Sequence, residues 1–155
     1  MRPHLEYGVQ VWCPWNAEDI KKLEKIQEKA IKMICGLSSQ SYEEKLKELQ
    51  LESLSDRRKR LDMIQTYKIL KGIDNVDRKI WFSTYGDEAT TMTTRLSNHP
   101  LNLKRQQISK TECRKHFFSQ RVIDDWNRLP DYVKDSKNIS TFKSNYSLYF
   151  ENTMM

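Results

Sequence analysis

Apolar residues return along much of this chain at intervals of three and four, the spacing that lines one side of a helix. The clearest case lies within residues 114–130, where Phe118, Val122, Trp126 and Leu129 share one face and Arg121, Asp124, Asp125 and Arg128 share the other. Asp124 and Arg128 stand in the favourable order for an i,i+4 ion pair. Asn127 tolerates a left-handed backbone and Pro130 cannot extend a helix, so the element is expected to end near Arg128. Two aromatics on so short a stripe make it the anchor against which other segments pack.

The same rhythm predicts further helices. Asn16 is placed as an N-cap, with Glu18 and Asp19 in the first turn and Gly36 as a C-terminal stop, for a helix of about twenty residues. Ile20, Leu23, Gln27, Ala30 and Ile34 form its stripe. Ser41 with Glu44 is a capping-box pattern that opens a short helix through Leu49, and Ser53 with Asp56 opens another that runs to Gly72. Ile139, Phe142, Tyr146 and Tyr149 mark a final short helix with Ser140 as its expected cap. Elsewhere the pattern is weaker. Leu5, Tyr7, Val9 and Val11 alternate as a strand would, so the run stopped by Pro14 leaves helix and strand both open. Residues 73–94 have no dependable period and read as a linker with one packed turn, Trp81, Phe82 and Tyr85 being isolated anchors. Residues 95–111, with Asn98, His99 and Pro100 as turn residues, suggest a hairpin or an extended arm. The expected fold is mainly α: a small helical bundle with a short β-hairpin or extended arm before the anchor helix. Its segments are 1–72, the linker 73–94, and a small basic C-terminal segment 95–155.

Composition agrees with helices. Four glycines and four prolines are too few for an all-β chain with many tight turns. No run reaches the ~18 apolar residues that a membrane span requires, and no secretory signal opens the chain. Cys13, Cys35 and Cys113 are too scattered for a disulfide framework, which points to an intracellular, reducing compartment.

Chemistry for a reaction is hard to find. Gly8, Gly36, Gly72 and Gly86 form no phosphate loop. Cys113 and His116 stand at metal-ligand spacing, but a tetrahedral site needs two more ligands, and a buried thiol beside a surface imidazole is the simpler reading. Asp124 and Asp125 point about 100° apart on a helix, which suits surface ion pairing better than a shared metal. No Ser-His-Asp or Cys-His set assembles. The chain is expected to catalyse nothing by itself and to need no cofactor or metal.

Charge then becomes the main functional signal. The net charge is +6 and the pI about 9.2. Residues 18–51 balance at seven basic and seven acidic, a face that is simply solvated. The excess sits in residues 53–72, with six basic and two acidic residues, and in 95–128, with eight and three. Arg57, Arg58, Lys59 and Arg60 form one cluster, at a helix N-terminus where cations oppose the helix dipole. Arg95, Lys104, Arg105, Lys110, Arg114 and Lys115 form the other. Both could hold phosphates by counterion release, giving electrostatic, sequence-tolerant binding of RNA or DNA. Aromatics on helical stripes are more often core than stacking platforms.

The order of residues also resembles one family. Arg2-Pro3-His4-Leu5-Glu6-Tyr7-Gly8 leading to Val11-Trp12, then Leu23-Glu24-Lys25-Ile26-Gln27 with Ala30 and Ile31, is similar to the segment just beyond the polymerase domain of non-LTR, LINE-like (Jockey-type) retrotransposon reverse transcriptases. The likeness continues through Ser41-Tyr42-Glu43-Glu44-Lys45-Leu46, Leu49, Leu51, Leu54, Arg57-Arg58, Arg60, Asp62 and Thr66-Tyr67-Lys68-Ile69. It resumes at Arg95 and His99, in 117–123 and in Trp126-Asn127-Arg128-Leu129-Pro130, and ends in Ser140-Thr141-Phe142-Lys143.

The resemblance implies a thumb-like or connection segment in 1–72 and a basic, nucleic-acid-handling extension beyond it, with the polymerase domain as a partner in cis. The family's catalysis rests on a Tyr-x-Asp-Asp type motif that does not occur here, and Asp124-Asp125 inherit no role from it. Nor does the family's endonuclease domain occur. The chain is therefore expected to be a fragment of a mobile-element reading frame that assists nucleic-acid binding. The alternatives are a helical protein-interaction module, whose N-terminal apolar run would pack on a partner, and a remnant without function.

Overall fold

The computed structural model describes residues 2–33, 41–87, 99–106 and 112–154. Among them are ten α-helices, one 3-10 turn and one isolated antiparallel bridge, so the protein is mainly α. No helix among the described residues is long and apolar enough to cross a membrane. The chain packs as two compact units, residues 1–61 and 62–155.

The first unit begins with two short helices, α1 (Arg2–Glu6) and α2 (Val9–Trp12), joined at Gly8, whose φ of 64° is a left-handed conformation that suits glycine. The alternation at Leu5 to Val11 thus yields helical turns and no strand. Only Val9 of that run is fully covered, while Tyr7 and Val11 are 86% and 84% exposed. Helix α3 (Ala17–Lys32) is capped as expected, Asn16 Oδ1 accepting from the Glu18 N–H. The expected stop at Gly36 lies outside the described residues. Helix α4 (Tyr42–Glu48) carries the full capping box between Ser41 and Glu44. Helix α5 (Leu54–Leu70) opens with the Ser53 hydroxyl accepting from the Asp56 N–H, and Gly72 follows it at a φ of 66°.

A polar knot holds α3, α4 and the start of α5. Glu24 accepts from the Tyr42 hydroxyl and the Ser55 N–H, both at 2.8 Å. Gln27 donates to the Tyr42 oxygen and to the Glu52 carbonyl. Burial, and then the bond to Glu24, push the Tyr42 phenol up to about 12.

The second unit is built on the anchor helix, α8 (Phe118–Arg128) in chain order, where Phe118, Val122, Ile123 and Trp126 are all buried. Tyr67 of α5, and Phe142 and Tyr146 of the last helix, α10 (Ile139–Met154), complete an aromatic stack: Tyr67 to Phe142 at 4.3 Å and Trp126 to Phe142 at 6.0 Å. Phe82, just past α6 (Arg78–Trp81), meets Phe118 edge-on at 5.7 Å. The stretch read as linker therefore contributes to the core. A short helix, α7 (Glu112–Lys115), precedes the anchor, and α9 (Asp131–Lys134) follows it.

Four local expectations change. Asp124 pairs with Arg105, while Arg128 approaches Asp125 at 3.8 Å, so the i,i+4 pair is not formed. Arg121 is drawn off the solvent face into a two-pronged bond with Asp62, at 2.8 and 3.0 Å. Asn138 caps α10 in place of Ser140, its side chain accepting from the Thr141 N–H, and the helix runs 16 residues. Asn127 takes no left-handed turn. Leu129 instead leaves the helix extended, at φ −62° and ψ 139°, as the following proline demands.

Candidate nucleic-acid interface

The described part of the expected hairpin, residues 99–106, is an extended arm bridged at Leu103 to Thr84. Backbone bonds run from Tyr85 N to the Asn102 oxygen, from Gly86 N to the Pro100 oxygen and from Lys104 N to the Ser83 oxygen. The anchor helix clamps the other edge. Asn127 accepts from the Leu103 N–H at 2.8 Å and donates to its carbonyl at 2.9 Å, as a neighbouring strand would. Trp126 Nε1 donates to the Leu101 carbonyl. From below, buried Lys134 donates to Asn102 Oδ1 and to the Asn127 carbonyl, and desolvation lowers its pKa. Asp87 locks the preceding turn (Tyr85–Asp87) by accepting from the Thr84 N–H and hydroxyl, bonds that lower its pKa.

This frame leaves a groove of about 450 Å³ between arm, turn and anchor helix. Its lining includes the buried Leu103 and Ile123, Tyr85, Asp124 and Asn127, with Arg105 and Arg128 beside them. Both arginines are solvent-facing, 66% and 74% exposed, and their pairings with Asp124 and Asp125 are surface contacts that contribute little. Lys104 Nζ stands 5.0 Å from the centre of the Tyr85 ring. The groove thus combines an apolar floor with cations at its edge.

The expected basic residues are distributed unevenly. Arg105 lines the groove, and Lys104 stands beside it over the Tyr85 ring. Arg114 and Lys115 lie exposed on α7, where Lys115 is paired with Glu112, and they are not among the groove's lining residues. Arg95 and Lys110 lie outside the described residues.

In the first cluster Arg57 binds the Glu6 carboxylate through Nε and Nη2. Arg60 binds Glu52 at 2.7 Å. Arg58 is 3% exposed, and among the described residues neither of its terminal nitrogens has a hydrogen-bond partner. Lys59 alone of the four is exposed. Most of that cluster is therefore turned toward the protein's own carboxylates or interior.

Tyr85, read as an isolated anchor, and Arg128, read as half of an ion pair, are groove residues that spacing did not suggest. They reach it from the turn and from the far end of α8, so only the fold places them together. Among the described residues no group of three His, Cys, Asp or Glu side chains could hold a metal ion; His116 and Lys115 both face Glu112. No family model matches the chain, and no curated protein or solved structure matches it either.

Proposed function

We propose that the chain is a non-catalytic nucleic-acid-binding module that holds RNA or DNA through its second unit. The observation that carries this reading is the groove edged by Arg105 and Arg128, two solvent-facing arginines, while three of the four basic residues of the other cluster are turned inward. The resemblance to the region downstream of the polymerase in non-LTR retrotransposon reverse transcriptases supports it. On that reading the polymerase domain of a parent element is the partner in cis, and the chemistry of copying belongs to that domain. Two phosphate contacts predict that log K for a single strand falls by about 1.4 per tenfold rise in salt. Titrating a labelled oligonucleotide at several salt concentrations measures that slope; a flat response, or no binding in dilute buffer, refutes the proposal.

A second reading rests on a separate observation in the first unit. Tyr7, Val11, Trp12 and Trp15 are exposed large hydrophobics close together in sequence. They suit a helical protein-interaction module. Size-exclusion and cross-linking with Tyr7 and Val11 changed to Ser test it: association that those changes abolish supports it, and a monomer at high concentration counts against it.

A further inference from the structure

We infer that the groove takes one unstacked nucleotide of a single strand, with its base against Tyr85 and the apolar floor and its phosphates on Arg105 and Arg128. The inference rests on the nucleic-acid reading and adds which form of nucleic acid is held and where. A site for phosphates alone needs cations on an open, polar surface. This one places Leu103 and Ile123, both nearly fully buried, beneath a space of about 450 Å³. A concave space of that order, with apolar residues at its base and polar groups around its margin to orient a ligand, is what a flat ring system fills.

Tyr85 supplies the platform. Aromatic–base stacking is sequence-tolerant because every base has a π-face, and the nearby Lys104 ammonium adds an attraction for the phosphate backbone. Arg105 and Arg128 stand on separate elements, the arm and the anchor helix, so a strand whose base enters the groove meets a guanidinium from each. A duplex cannot make this arrangement without extruding a base, and the loss of stacking and pairing disfavours that. Among the described residues, Asp124 is the one carboxylate in the lining. Its partner Arg105 is two-thirds exposed and can turn to a phosphate, leaving the carboxylate to accept from an amino group on a base edge.

The test compares anisotropy titrations of a labelled 12-nucleotide single strand, an abasic strand of equal phosphate number and a duplex. The single strand is expected to bind more tightly than the other two. Tyr85→Leu, which keeps the apolar contact and removes the platform, lowers affinity for the single strand roughly five- to a hundredfold and erases most of its margin over the abasic strand. Arg128→Gln weakens both strands alike. Independently of any variant, a strand carrying 5-bromouracil forms its photo-cross-link at Tyr85 by peptide mass mapping. Equal affinity for the abasic strand or the duplex, or a cross-link mapping away from the groove, overturns the inference and leaves electrostatic binding standing. Failure of every probe to bind in dilute buffer overturns both.

Discussion

Arg57 and Arg60 meet carboxylates from Glu6 and Glu52, whereas Arg105 and Arg128 reach solvent beside an apolar floor. Both regions look alike as charge. What separates them is whether the chain brings acid to them. A cation near a helix N-terminus opposes the dipole, and the first unit offsets that cost with Asp56 in the same turn and with carboxylates from other segments, Glu6 being 51 positions away in sequence. In the second unit the acids near Arg105 and Arg128 are Asp124 and Asp125, all four substantially exposed to water, where pairing is weak and exchangeable. A run of arginines is thus a poor guide to a binding surface until its intramolecular partners are known.

The largest expected effect tests whether the groove is a built frame. Asn127→Ala strips the Leu103 N–H and carbonyl of their side-chain partner at a residue only 1% exposed. Leaving two buried backbone groups unsatisfied costs about 2–4 kcal/mol. Chemical denaturation should show that loss, and nucleic-acid binding should fall with it because the arm is released. An unchanged midpoint would mean that the arm is held without the clamp.

Next in size is the contrast between the two clusters themselves. Arg57→Ala leaves the largely covered Glu6 carboxylate unpaired and should cost about 1–2 kcal/mol, below the full value for a deeply buried pair because Arg57 is itself partly solvated. Its nucleic-acid affinity should stay the same. Arg105→Ala should show the reverse: stability within about 0.5 kcal/mol of the parent and a clear loss of affinity with a shallower salt slope. Denaturation and salt titration on the same two variants decide it. Parallel behaviour of the pair would erase the distinction drawn between the regions.

Much of the fold was legible because it is local. Asn16, the Ser41–Glu44 box, Ser53 and the stripe of α8 are decided by residues within a turn of one another, and each forms as its spacing demands. What escaped is decided across the chain. Arg121 looked like a surface charge because its partner, Asp62, lies 59 positions earlier. Alternation at Leu5 to Val11 looked like a possible strand because nothing in seven residues shows that a left-handed Gly8 will break the run. The groove suffered most: Lys104 and Arg105 were visible as charge, but Tyr85 and Arg128 enter it only once Asn127 has clamped the arm to the anchor helix. Ser140 lost to Asn138 for a smaller reason, two competent caps standing two residues apart.

Arg58 inverts the usual sign. Its guanidinium is buried, and both terminal nitrogens lack a hydrogen-bond partner among the described residues, so the charge carries a desolvation cost that hydrogen bonds do not recover at those atoms. Arg58→Met keeps the length of the stem and removes the charge, and should raise the unfolding free energy by about 1 kcal/mol. Thermal unfolding reads it directly. A fall in Tm would show that the protein compensates this cation, as it does Arg57 and Arg60, and would remove the desolvation argument.

The smallest effect probes how firmly the first unit's own polar knot is closed. Tyr42 has its pKa raised from the ordinary phenol value of 10.0 to about 12, first by burial and then by the hydrogen bond to Glu24. A phenol whose folded pKa is raised contributes stability that is complete below the unfolded value and is lost as pH climbs through the folded one. Between pH 10 and 12 the first unit should therefore weaken, since the unfolded chain releases that proton and the folded one retains it. Tyr67 shifts in the same direction by burial and contributes a parallel loss in the second unit. Tyr42→Phe should flatten its share of the slope while also losing the bonds to Glu24 and Gln27 at neutral pH. Tyrosinate absorbance followed alongside denaturation separates the two: if the variant keeps the parent's full alkaline slope, the hydroxyl of Tyr42 is not what closes the knot.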